Sequence, residues 1–136
     1  MTQQSLRCIL TASLFLLAAA ALTPQKDPPK NSQDSDAVAV EGLVRDIACP
    51  IQNNKSTATE FSMDCVTKCA KAGSPLGILS KEGIIYVPLT QSMPDTGQQQ
   101  LVQFVGRYVS AAGKEFLRNG VHGIEVKEIH AIDNLK

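Results

Sequence analysis

The sequence predicts a mainly β fold, a small five-stranded barrel carrying one or two short helices. Three observations point there. Five apolar segments have the length and alternation of strands, glycines interrupt the first and fourth where a strand must bend, and a short helical stretch precedes the fourth.

The first 21 residues stand apart from this domain. Arg7 supplies a positive charge, Ile9 to Ala21 is apolar apart from Thr11 and Ser13, and Ala19, Ala20 and Ala21 offer small residues for cleavage. That layout is a secretory signal peptide, and the apolar run is shorter than the about 20 residues a membrane span needs. Retention as an uncleaved anchor is the alternative. Cys8 precedes the apolar core and leaves with the signal. Residues 22–36 are rich in proline, charge and small polar residues, which reads as a disordered leader. The domain should then occupy residues 37–136, enough for one core without obligatory disulfides. These features place the protein outside the cytosol, secreted or periplasmic.

Within the domain, Ala37 to Ala48 reads as a long, curved first strand with a bend at Gly42, ended by Cys49-Pro50. Ile51 to Thr59 is polar and loop-like. In the stretch that follows, Phe61, Cys65 and Cys69 share one helical face, Lys68 and Lys71 sit in the last turns, and Gly73 and Pro75 stop the helix. A helix over 62–72 is expected. Leu76 to Leu79 and Ile84 to Leu89 form a hairpin through Ser80 to Gly83. Leu101, Phe104 and Val105 suggest one or two helical turns ending at Gly106. Arg107 to Leu117 is the fourth strand and Gly123 to Ile132 the fifth, joined through the turn signal Asn119-Gly120. Five strands at this scale match a Greek-key barrel of the OB type, whereas an immunoglobulin-like sandwich needs about seven.

Composition narrows the function classes. Lys and Arg number 13, as do Asp and Glu, for a formal net charge of zero, and no two basic residues are adjacent. A nucleic-acid partner needs clustered basic residues and a single-strand binder an aromatic platform, and neither is present. An anionic membrane surface is disfavoured on the same ground. No phosphate-binding glycine loop, nucleophile elbow or histidine metal helix occurs, and nothing completes an acid–base set. The expectation is a binding domain, not an enzyme, with an unidentified protein or small ligand as partner.

The spaced pattern EGLVRDIAC, CVTKCAKAGSPLGILSKEGIIYVPL and LVQFVGRYVSAAGKEF resembles a family of small exported bacterial proteins of unknown function. In that family a Gly-x-x-x-Asp-x-x-Cys segment precedes Cys-x-x-x-Cys and Gly-x-Pro-x-Gly. Here those positions are Gly42, Asp46, Cys49, Cys65, Cys69, Gly73, Pro75 and Gly77, and the likeness runs from about Val40 to Ile132. It implies an OB-like fold and joins the three cysteines into one motif, and it brings no activity.

Cys49, Cys65 and Cys69 are the candidate site. Three thiols cannot all pair within one chain. Residues four apart on a helix hold their Cβ atoms about 5–6 Å apart, against about 3.5–4.5 Å in a disulfide. Cys65 and Cys69 are therefore poorly placed for a mutual bond but well placed to reach one metal ion. Cys49, from the end of the first strand, can complete a set of three, with His122, His130, Asp46, Asp64 or solvent at a fourth position. Thiolate-rich sites select soft ions, and outside the cytosol copper or zinc is the natural cofactor. The competing reading is structural: Cys49 bonds Cys65 or Cys69 and pins the helix to the first strand, with a chain-entropy gain of about 3 kcal/mol. A thiol-redox or metallochaperone role for the same cysteines is the functional alternative. His122, in the Asn-Gly-Val-His-Gly turn, and His130, on the fifth strand beside Glu128, have an equally plain reading as surface residues.

Overall fold

In a computed structural model, residues 32–92 and 94–136 are described. The signal peptide and residues 22–31 of the leader lie outside them. The chain forms β1 (Ser32–Asp46), α1 (Ala48–Gln52), α2 (Met63–Lys71), β2 (Leu76–Ser80), β3 (Ile85–Pro88), α3 (Gln98–Val102), β4 (Tyr108–Arg118) and β5 (Val121–Ala131). Ser32–Asp36, expected in the leader, belong to β1, and residues 32–35 pair with the far end of β4.

The strands close a barrel in the order β1-β2-β3-β5-β4. Every pairing is antiparallel except β3 with β5. This is the OB-like Greek-key barrel that the strand count and glycine bends predict. Closure requires β1 to serve two neighbours. Gly42 pairs with Ser80 of β2 and with Val109 of β4. A Cβ at Gly42 would lie 2.6 Å from the Leu79 carbonyl oxygen and 2.6 Å from Ile78 Cγ2, so only glycine permits this crossing. On the opposite side, the register between β4 and β5 shifts between Ala112 and Gly113, which face Glu128 and Val126. The omitted Lys127 is a bulge, and it produces the change of face expected before Ile129. Asn119 and Gly120 both take positive φ, 52° and 81°, the signature of a tight I′ hairpin between β4 and β5.

Two apolar clusters result. Val40, Val44, Ile78, Leu101, Val109 and Ile124 fill the barrel interior. Leu43, Ala58 and Leu79 form a second cluster on the outside of β1 and β2, covered by Phe61 and Tyr108. The Tyr108 hydroxyl donates to the Ala58 carbonyl at 3.1 Å, and its ring meets Phe61 edge-on at 6.4 Å. This second cluster fastens the segment between α1 and α2 to the barrel wall. No helix among the described residues is long and apolar enough to cross a membrane.

The first strand ends earlier than its apolar pattern suggests. Instead of reaching Cys49-Pro50, it stops at Asp46, and Ala48–Gln52 turn into α1. Proline is tolerated there because a first-turn residue has no intrahelical use for an N–H. Asn53 N–H closes the turn on the Cys49 carbonyl at 2.9 Å.

The bulge at Gly113 gives a direct test of the barrel geometry. A Cβ at this position would collide with the Glu125 carbonyl oxygen. Gly113→Ala should therefore lose about 1–3 kcal/mol in urea unfolding, the range for overpacking a site that cannot relax. Gly83→Ala is the comparison: its added methyl meets nothing, and its cost comes only from the positive φ of 87°.

Candidate metal centre

Two short helices, each started by a side-chain acceptor, bring the cysteines together. Asp46 Oδ2 accepts the Cys49 backbone N–H at 2.9 Å and so initiates α1. Ser62, at the N-cap of α2, accepts the Cys65 N–H at 3.3 Å. Gly73, with φ of 87°, ends α2. Ser74 N–H bonds the Cys69 carbonyl and Gly73 N–H the Ala70 carbonyl, both at 3.1 Å, which is a Schellman closure. Val66, fully buried, roots α2 against the barrel. The expected helix is thus found, ended at Gly73 as expected, with Ser62 as its N-cap rather than its first residue.

Cys65 and Cys69 lie one turn apart on the face that α2 turns toward α1. Their sulfurs are 4.0 Å apart. Cys49 Sγ stands 3.4 Å from Cys65 Sγ and 3.7 Å from Cys69 Sγ. The three half-buried thiols form a triangle whose ligand atoms all lie within 4.8 Å, as a shared ion requires. The expected disulfide is absent: all three are free thiols, and the nearest pair is well beyond the about 2.05 Å of a sulfur–sulfur bond. The physical reason lies in the backbone, which presents the three sulfurs around a common point rather than any two of them end to end. Cys49 also comes from α1, not from the end of β1 as expected.

The size of the triangle is informative. A tetrahedral ion with bonds of about 2.3 Å sets its sulfurs about 3.8 Å apart, and an ion lying in their plane sets them about 4.0 Å apart. Edges of 3.4, 3.7 and 4.0 Å are comparable with both values, so Cys49, Cys65 and Cys69 would hold one soft ion without a large rearrangement.

Beneath the cysteines lies a buried charge pair. Arg45 is 1% exposed and Asp46 0%. Arg45 Nη2 donates to Asp46 Oδ1 at 3.5 Å, and Nη1 to the Thr57 carbonyl at 3.4 Å, which ties the loop after α1 to the end of β1. Alternation along β1 puts Arg45 on the face of Leu43 and Ile47, but the partners that make a buried charge tenable there come from distant residues. The spacing Asp46-x-x-Cys49 does carry a signal, since a short acidic side chain three residues before a helical N–H is a capping pattern.

The Asp46 carboxylate pushes the Cys49 thiol up to about 12, with the Cys65 contact and burial acting in the same direction. At Cys69 the Cys49 contact pulls downward, but burial, the Cys65 contact and the charge of Asp46 carry the thiol above its ordinary range. A nucleophilic cysteine needs the reverse, a thiolate favoured by positive surroundings.

The other proposed ligands lie outside the triangle. His122 Nδ1 is 2.6 Å from Glu115 Oε1, and its ring meets Tyr86 edge-on at 5.4 Å. It lines a separate apolar groove of about 530 Å³ with Ile47, Ile51, Ile85 and Val121. His130 is exposed on β5 opposite Ser110. Asp64 pairs with Lys68 across the surface of α2 at 2.7 Å. Asp46 lies close by, occupied by the Cys49 N–H and Arg45. No family model, curated protein or solved structure matches the chain.

Removal of Asp46 tests the support beneath the site. Asp46→Ala strands the Arg45 guanidinium in the interior and should cost about 3–5 kcal/mol in chemical unfolding. Asp46→Asn, which still accepts the Cys49 N–H, should cost clearly less. Equal losses would contradict the paired role of the side chain.

Proposed function

We propose that this protein is a small exported binding domain that holds one thiophilic metal ion, zinc or copper(I), on Cys49, Cys65 and Cys69. One observation carries the reading: three unbonded sulfurs from two helices converge on a triangle with edges of 3.4, 3.7 and 4.0 Å. Thiolate sets of this kind favour soft ions over magnesium or calcium, which take oxygen ligands. The polar groups beneath the sulfurs orient the backbone that carries them, the usual work of an outer shell around a metal site. Kinship with the small exported bacterial proteins of the same cysteine pattern belongs to this proposal, as does a location outside the cytosol.

A thiol-redox role receives less support. Cys49 and Cys69 have raised thiol pKa values, and the carboxylate beside them, Asp46, is engaged by the Cys49 N–H and Arg45 and disfavours the thiolate.

Titration of the reduced domain with zinc against a chromophoric chelator tests the proposal, with a parallel copper(I) titration. One ion per chain is expected. Cys49→Ser, Cys65→Ser and Cys69→Ser should each weaken binding by roughly 100-fold or more, while far-ultraviolet circular dichroism of the metal-free proteins stays unchanged. Metal affinity that survives all three single substitutions would refute the assignment.

A further inference from the structure

We propose that the fourth coordination position at the cysteine triangle is filled from outside the protein, by a monodentate thiolate or imidazole donor that enters the depression beside α1. The inference rests on the metal-binding reading above. It follows from two independent observations.

First, every side chain in the described structure that sequence reasoning offered as a fourth ligand is committed or displaced. Asp46 is buried and holds the Cys49 N–H and Arg45. Asp64 is paired with Lys68, and His122 is paired with Glu115 at another groove. His130 is exposed on β5 and lies outside the group whose ligand atoms fall within 4.8 Å. A structural tetrahedral site is closed by four protein ligands, whereas an exchanging site keeps one position open. Among the described residues, this site has the second form.

Second, two of the three sulfurs adjoin a space of suitable size and lining. A depression of about 350 Å³ lies against Cys49 and Cys65, bordered by Gln52, Asn53, Ser56, Glu60 and Phe61. Its volume lies at the low end of the range for small-ligand sites, about 300–1,000 Å³. Amide, hydroxyl and carboxylate groups at its rim can hydrogen-bond a short donor, and the Phe61 ring offers one apolar wall. A soft donor matches the three sulfurs already present. The donor can be a free small molecule or a cysteine or histidine side chain on a partner segment. In both cases the entering group makes one new bond to the ion and displaces a water, with no change in oxidation state.

Cobalt(II), a spectroscopic stand-in for zinc, provides the test on the full domain. Cobalt alone should give intense visible bands of a four-coordinate sulfur-rich site and a thiolate charge-transfer band. Imidazole should then shift the visible bands while the charge-transfer band remains, and native mass spectrometry should show one imidazole per chain. A short peptide with a single histidine separates the two sources. Binding at least tenfold tighter than imidazole assigns the position to a partner side chain, and equal or weaker binding assigns it to a free small donor. Gln52→Trp, which crowds the depression from an exposed position, should leave cobalt affinity intact and weaken imidazole binding about tenfold. Cobalt bound with bands indifferent to saturating imidazole would overturn the open position while leaving the metal site standing. Failure to bind cobalt, zinc or copper(I) at all would overturn both.

Discussion

A single buried carboxylate governs the position of the site. Asp46 closes the last turn of β1 against Arg45 and receives the Cys49 N–H at 2.9 Å, so the chain leaves the barrel as a helix rather than a continuing strand. That change of direction aims Cys49 at α2. Arg45 extends the same constraint by holding the Thr57 carbonyl, and the second apolar cluster then fixes the loop as far as Phe61. An uncompensated ion at this depth would be strongly unfavourable, and the pairing with hydrogen bonds on both partners makes the arrangement tenable. The described residues contain no buried side-chain polar atom without a partner.

The barrel and the cysteine corner are therefore two layers of one design. β1 is shared: its first part pairs with β4, its last part with β2, and its final residue begins the helix that bears Cys49. α2 is rooted separately, through Val66, and capped at both ends, so Cys65 and Cys69 are held on a rigid turn. In the metal-free protein the three thiols make only weak contacts with one another. A bound ion would add stability in proportion to its saturation, about 2.7 kcal/mol at a concentration 100 times the dissociation constant. That increment would act on α1 and α2, which carry the three cysteines.

Much of the fold is legible in the sequence because its determinants are local. Gly73 and Pro75 mark the end of α2, Asn119-Gly120 marks the β4–β5 turn, and Gly42 and Gly113 mark the bends that close the barrel. The pairing of Cys65 with Cys69 on one helical face is legible for the same reason. Two features are not. Pro50 reads as a strand terminator, yet it also suits a first helical turn, and only the long-range placement of Asp46 decides between them. Arg45 shares one face of the strand with Leu43 and Ile47, but the loop that covers it arrives from beyond Asn53, so no window around Arg45 shows what its charge meets. The convergence of Cys49 with α2 depends on both. The apparent histidine ligands fail for a related reason: His122 is sequestered by Glu115, its partner across the β4–β5 hairpin.

X-ray absorption at the zinc edge of the zinc-loaded domain tests the central claim most directly, because it counts the ligands. The account predicts three sulfur neighbours at about 2.3 Å and one lighter atom completing the shell. A shell dominated by nitrogen and oxygen, with one sulfur or none, would contradict it.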